Sequence, residues 1–90
     1  MREAQVAIVN RLGLHARAAA KLVRLASSFQ SNVRLERIDG SASADAKSIL
    51  NVLMLAAARG ATLRITVEGE DEAEAMHAIC QLFSEGFGEN

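Results

Sequence analysis

His15 stands between the turn Leu12-Gly13-Leu14 and a run of helix-forming residues that begins at Ala16. Imidazole is both a nucleophile and a base close to neutrality at physiological pH, so a histidine in this place could carry a covalent group. The first N–H groups of a helix have no partner within it and point at whatever lies beyond its end, which makes that end an anion site. The same dipole favours a neutral, nucleophilic ring. Arg17 follows two residues later, close enough to fork onto phosphate oxygens in a way a lysine would not match. Gly13 permits a backbone conformation that brings the loop close to an attached phosphate. The chemistry this combination suits is acceptance and release of a phosphoryl group. From these residues alone, a helix-capping histidine without chemistry is an equal reading. Arg17, Lys21 and Arg24 continue the positive potential along one helix face, with Lys47 as a further cation, and would receive an acidic partner.

The other candidates are weaker. Ser48 opens a second helix and suits its N-cap, while a phosphate there would put charge beside Ile49 and Leu50. His77 has no partner at ligand spacing and reads as a surface residue. Cys80 falls on an apolar stripe and reads as core. The acidic run from Glu68 to Glu74 matches no calcium-loop spacing and suits the start of a third helix. No metal site and no cofactor are expected.

The elements that must position these groups follow from periodicity. Gln5–Val9 reads as a first strand, with Val6 and Ile8 on one face. From Ala16 to Phe29, Ala19, Leu22, Val23, Ala26 and Phe29 recur at helical spacing. Val33 to Glu36 alternates as a strand, and Asp39-Gly40 is a turn before a short strand through Ala42 and Ala44, with Ile38 out of register. The spacing predicts a second helix over Ser48–Ala58, with Ile49, Val52, Leu53 and Ala56 inward and Arg59-Gly60 closing it. Leu50, Leu53 and Met54 cannot all face inward on a helix packed on one side, so some of them form an exposed patch. Leu63, Ile65 and Val67 alternate with polar residues as the cleanest strand. A third helix over Asp71–Ser84 buries Ala73, Met76, Ile79, Cys80 and Phe83. The order β-α-β-β-α-β-α predicts an α+β fold, an open-faced sheet covered by helices on one side.

Composition narrows the function classes. With 90 residues, half of them apolar, the chain has room for one domain, 1–90, and a small core. Three Phe are the only aromatics, so that core is aliphatic. A formal net charge of −1, without aromatics alternating with Lys or Arg, argues against nucleic acid. The single Cys80 can form no internal disulfide, and no leader or 18-residue apolar run occurs, so a cytoplasmic protein without membrane insertion is expected.

The stretch Leu12-Gly13-Leu14-His15-Ala16-Arg17 resembles the active-site motif of HPr, the phosphocarrier of the bacterial sugar phosphotransferase system. Lys47-Ser48-Ile49 resembles that family's regulatory-serine segment, and Gly69-Glu70-Asp71-Glu72-Ala73-Glu74-Ala75 its entry to the third helix, so the likeness covers nearly the whole chain. Leu53-Met54-Leu55 and Leu82-Phe83-Ser84-Glu85-Gly86-Phe87 resemble the nitrogen-related branch, NPr, more than the sugar branch. The resemblance implies a four-stranded antiparallel sheet with three helices on one face. It implies phosphorylation of His15 on Nδ1 by a phosphoenolpyruvate-dependent Enzyme I-type donor, with Arg17 steadying the phosphoryl group and an EIIA-type protein as acceptor. A docking surface of Ala16, Ala20, Lys21, Arg24, Lys47, Ile49, Leu50 and Leu53 is implied, with Ser48 as a candidate for a serine kinase and phosphorylase, and a monomer suits such a shuttle. Ala18 departs from the family, where many sugar-branch members have proline. The competing readings are a non-catalytic interaction module of the same fold and a small-ligand regulatory domain of ferredoxin-like type. A stand-alone enzyme fits least, since no second acid-base pair is implied.

Overall fold

A computed structural model describes residues 1–89. The elements run β1 (Arg2–Ala7), α1 (Ala16–Ser27), β2 (Asn32–Arg37), β3 (Ser43–Asp45), α2 (Ile49–Met54), β4 (Thr62–Glu68) and α3 (Glu72–Ser84), followed by a 3₁₀ turn at Gly86–Gly88. The expected order is therefore found, as is the α+β class: four antiparallel strands form an open sheet in the order β1-β4-β2-β3, with three helices against it. Among the described residues no helix is long and apolar enough to cross a membrane.

β4 and β2 are the two central strands; β4 is paired along nearly its whole length, with β1 from Arg2↔Val67 to Ala7↔Thr62 and with β2 from Asn32↔Glu68 to Arg37↔Leu63. Its alternation is clean because one face meets helices and the other water. Leu63, Ile65 and Val67 are fully buried, and meet Val33 and Leu35 of β2 in the same core as Leu22, Val52, Ile79 and Phe83. On the open face Arg64 pairs with Glu36 at 2.9 Å and Glu3 at 3.7 Å, a solvated cross-strand set. The hairpin through Asp39-Gly40 is present, with Gly40 at φ +78°. Ile38, out of register, points to solvent at 42% exposure.

Several boundaries and stripes differ from the sequence reading. β1 begins at Arg2 and ends at Ala7, earlier than Gln5–Val9, because β4 supplies partners for its whole length. In α1 the buried face is Ala18, Ala19, Leu22 and Ala26, with Val23 and Phe29 only half-buried. In α3 Ala75 takes the place expected of Ala73, which is exposed; Cys80 is half-buried, its Sγ 3.5 Å from Met76 Sδ, and burial pushes its thiol pKa up. The largest departure is α2, which stops at Met54 with only Val52 of its residues buried, so Ile49, Leu53 and Ala56 are not the inward stripe expected. Ala56 adopts φ +50° and turns the chain, and the Ala57 carbonyl then accepts from Leu14 N–H at 2.9 Å. The Ala57 carbonyl thus meets a tertiary partner just past the end of α2, and Arg59-Gly60 closes the following loop rather than the helix.

Asp71 stands at the start of α3, as the acidic run suggested, and has a second task. Its carboxylate makes no cap contact with α3 and instead accepts from Gln30 N–H at 2.9 Å, Ser31 N–H at 2.9 Å and Ser31 Oγ–H at 2.5 Å. It thereby ties the α1–β2 connection to the start of α3. The hydroxyl of Ser31 first, and the Gln30 N–H next, hold its pKa below the ordinary aspartate value. A carboxyl whose folded pKa is depressed stabilises the fold above its unfolded pKa, and that contribution disappears as pH falls through the folded value. Asp71→Asn is therefore expected to be less stable than wild type at pH 7, with the gap narrowing below about pH 3.9, the usual aspartate value. Urea unfolding of both proteins across pH checks this; a gap that widens in acid would contradict it.

Candidate functional site

The loop bearing His15 is held from three directions. Gly13 adopts φ +67°, and a Cβ there would lie 2.6 Å from Ala57 O, so only glycine lets the loop lie against the 57–58 backbone. Leu14 is buried and hydrogen-bonded to Ala57, as above. Asn10, 3% exposed, donates through Nδ2 to Gly13 O at 2.8 Å. The chain then enters α1, whose first backward bond is Ala19 N–H to His15 O at 2.8 Å. Ala18 stands in the first turn, where the helix needs no N–H, so proline and alanine are both compatible with this start. The departure from the family pattern thus leaves the helix intact.

His15 is the N-cap residue of α1, with extended backbone, and its Nδ1 accepts from Arg17 N–H at 3.3 Å. The other ring nitrogen, Nε2, is 2.7 Å from Oε2 of Glu89. A nitrogen that faces an N–H must present its lone pair, and one that faces a carboxylate carries the proton, so the contacts select the tautomer protonated on Nε2. The nucleophilic lone pair is then on Nδ1, at the helix N-terminus. Arg11, Leu12, His15, Arg17 and Glu89 line a cavity of about 340 Å³ beside the ring. Among the described residues neither the Arg11 nor the Arg17 guanidinium has a hydrogen-bond or ion-pair partner, so both are available to an incoming anion.

Asn10 and Glu89 were not found from sequence. Asn10 lies one residue past the strand expected over Gln5–Val9 with nothing to mark it, and Glu89 lies 74 residues from His15. The signal that could have pointed to Glu89 is Gly86-Phe87-Gly88, a turn in which all three residues have positive φ and which folds the C-terminal end back on the site. Phe87 is buried edge-on against Phe83, ring centroids 5.0 Å apart. Glu89 Oε1 accepts from Asn10 Nδ2 at 3.1 Å. That bond first, and those to His15 next, hold the Glu89 carboxyl below the ordinary glutamate value against the opposing effect of burial.

The remaining expected site residues fall into two groups. Ala16, Arg17 and Arg24 are exposed on α1, with Ala20 half-buried beside them. On α2 and its approach, Ile49 is 43%, Leu50 66%, Leu53 36% and Met54 75% exposed, and Leu12 of the His15 loop is 67% exposed, so an apolar patch stands beside the helix. The two lysines behave differently: Lys21 Nζ donates to Phe87 O at 2.6 Å and Lys47 Nζ to Phe29 O at 2.9 Å. Each ammonium therefore ties two segments of the chain together as well as contributing charge. Ser48 caps α2 as expected, its Oγ accepting from Asn51 N–H at 3.3 Å. His77 is exposed, and the described residues contain no group of three or more His, Cys, Asp or Glu placed to hold a metal.

Comparison with known proteins gives a family for the sequence and the fold. The family model described as the PTS HPr component phosphorylation site matches residues 2–85. The phosphocarrier protein HPr of Xylella fastidiosa is 46% identical over 90 residues, covering 100% of this chain and 99% of that protein. The phosphocarrier protein NPr of Proteus mirabilis is 46% identical over 86 residues, covering 96% and 94%. Among solved structures, HPr from Thermoanaerobacter tengcongensis superposes with a TM-score of 0.93 at 38% identity, covering 100% of this chain and 99% of that one. Equal identity to an HPr and an NPr leaves the two branches level.

Proposed function

Because this chain belongs to the PTS-HPr family of phosphocarriers, we propose that the domain 1–90 accepts a phosphoryl group on His15 Nδ1 from an Enzyme I-type donor and passes it to an EIIA-type protein. The observation that carries this reading is the ring itself. Its lone pair on Nδ1 stands at the N-terminus of α1, with the Arg17 N–H 3.3 Å away and Arg17 lining the same cavity.

The Nδ1 lone pair attacks phosphorus as the bond from phosphorus to the donor's histidine breaks and that electron pair returns to the donor ring. Charge on the equatorial oxygens is met by the helix N-terminus and by Arg17, leaving little covalent work for the carrier. Onward transfer reverses these roles against a histidine of the acceptor. One surface must serve two partners in turn, so a small patch with a few exposed apolar anchors suits it better than a large one. Leu50 and Met54 are such anchors, while Arg17 and Arg24 set orientation and encounter rate. A serine kinase acting on Ser48 would place charge beside Ile49 and Leu50 and oppose docking. The carrier works as a cytoplasmic monomer.

Arg17→Ala tests the site. Single-turnover phosphorylation by Enzyme I is expected to slow by about 10²-fold, the usual effect of losing one group that stabilises transition-state charge. Arg17 is exposed, so thermal unfolding should stay within about 0.5 kcal/mol of wild type. Arg17→Lys should recover only part of the rate, because an ammonium cannot fork onto two oxygens. Equal rates for wild type and Arg17→Ala would remove Arg17 from the site.

A further inference from the structure

We propose that Glu89 is a positioning residue for His15, holding the ring through Nε2–H so that Nδ1 presents its lone pair, and that Asn10 anchors Glu89 for this task. The inference rests on His15 being the phosphoryl acceptor.

Three contacts form one relay. Glu89 Oε2 lies 2.7 Å from His15 Nε2, Glu89 Oε1 accepts from Asn10 Nδ2 at 3.1 Å, and the same Nδ2 donates to Gly13 O at 2.8 Å. The amide that fixes the loop before His15 thus also fixes the carboxylate that meets its ring. Asn10 is 97% shielded and the Glu89 side chain is 17% exposed, so water competes poorly for these bonds. Glu89 is not on a loose tail. Phe87 anchors the turn before it in the core, and Lys21 holds the Phe87 carbonyl at 2.6 Å.

The chemistry gives this carboxylate a task. When Nδ1 forms its bond to phosphorus and the donor's P–N bond breaks, the proton on Nε2 stays where it is and the ring becomes a phosphoimidazolium. A carboxylate 2.7 Å from that proton stabilises the positive charge as it forms. It also keeps the ring a good leaving group, since on onward transfer the electron pair returns to Nδ1 and a neutral imidazole remains. The logic is that of an acid residue orienting a catalytic histidine. It differs from a guarding role, in which the negative charge of Glu89 would repel the phosphoryl group and its removal would speed acceptance.

The test pairs ring spectroscopy with kinetics on the full chain. In ¹H–¹⁵N spectra of the labelled protein, wild type should show the His15 proton on Nε2 as a downfield signal protected from exchange. Glu89→Ala should lose that protection and accept phosphoryl from Enzyme I about 10-fold more slowly, as supporting contacts to a functional histidine commonly do. Glu89→Gln should regain the ring hydrogen bond and an intermediate rate. A proton found on Nδ1 in wild type, unchanged protection and rate in Glu89→Ala, or faster acceptance would each overturn the proposal. The spectra need no donor. Failure of the phosphocarrier reading would show as a wild type that no Enzyme I phosphorylates, separately from the position of the ring proton.

Discussion

Gly13→Ala is expected to lower stability by about 3 kcal/mol or more and to cripple phosphoryl acceptance in whatever fraction stays folded. Two costs combine. A β-carbon at φ +67° is strained by about 1–2 kcal/mol. The new Cβ would also stand 2.6 Å from Ala57 O and 3.0 Å from Ala58 Cα, both backbone atoms that no rotamer change can move. Relief requires the His15 loop to lift, which breaks the bond of 2.9 Å from Leu14 N–H to Ala57 O and leaves a buried donor unpaired, at about 1–3 kcal/mol. Against a total stability of about 5–15 kcal/mol this is a large share. Gly60→Ala is the control: Gly60 has φ +91° with nothing within 4 Å of its Cβ position, so it carries the strain without the collision. Thermal or urea unfolding of the pair checks the account. Equal losses for both variants would mean that the 57–58 backbone does not set the loop.

The same contact explains why part of the site was legible in the sequence and part was not. His15, Arg17 and the start of α1 are local: a turn, a cap and a first helical turn lie within the eight residues from Leu12 to Ala19, and their roles follow from helix-end chemistry. β4 was legible because its alternation reports one buried and one wet face directly. The end of α2 was not. Its residues favour helix through Ala58, but the chain turns at Ala56 with φ +50° and the Ala57 carbonyl then meets Leu14 N–H, more than 40 residues earlier in the chain, and a propensity argument sees neither. Ala73 and Ala75 both sit at plausible spacing from Met76 and Ile79, and only the packing of α3 on the sheet decides between them. Glu89 and Asn10 were missed for the plainest reason. They join across 79 residues, through a turn whose glycines hint at a reversal but not at its destination.

The apolar patch was half legible. The sequence required that Leu50, Leu53 and Met54 not all face inward; Ile49, expected to face inward, is exposed as well. That leaves Val52 as the buried residue of a six-residue helix, with Leu55 just beyond it. A helix so short is held by its cap at Ser48 and by its neighbours rather than by its own propensity. The exposed leucines therefore sit on a support fixed largely from outside.

The central claim is that His15 carries the phosphoryl group. Intact mass after incubation with phosphoenolpyruvate and an Enzyme I of either branch tests it most directly, with His15→Ala beside wild type. Wild type is expected to gain one phosphoryl group, lost on acidification and absent in His15→Ala, with the effective donor identifying the branch. A gain that survives in His15→Ala would place the acceptor elsewhere, and no gain with either donor would make the chain a non-catalytic interaction module of this fold.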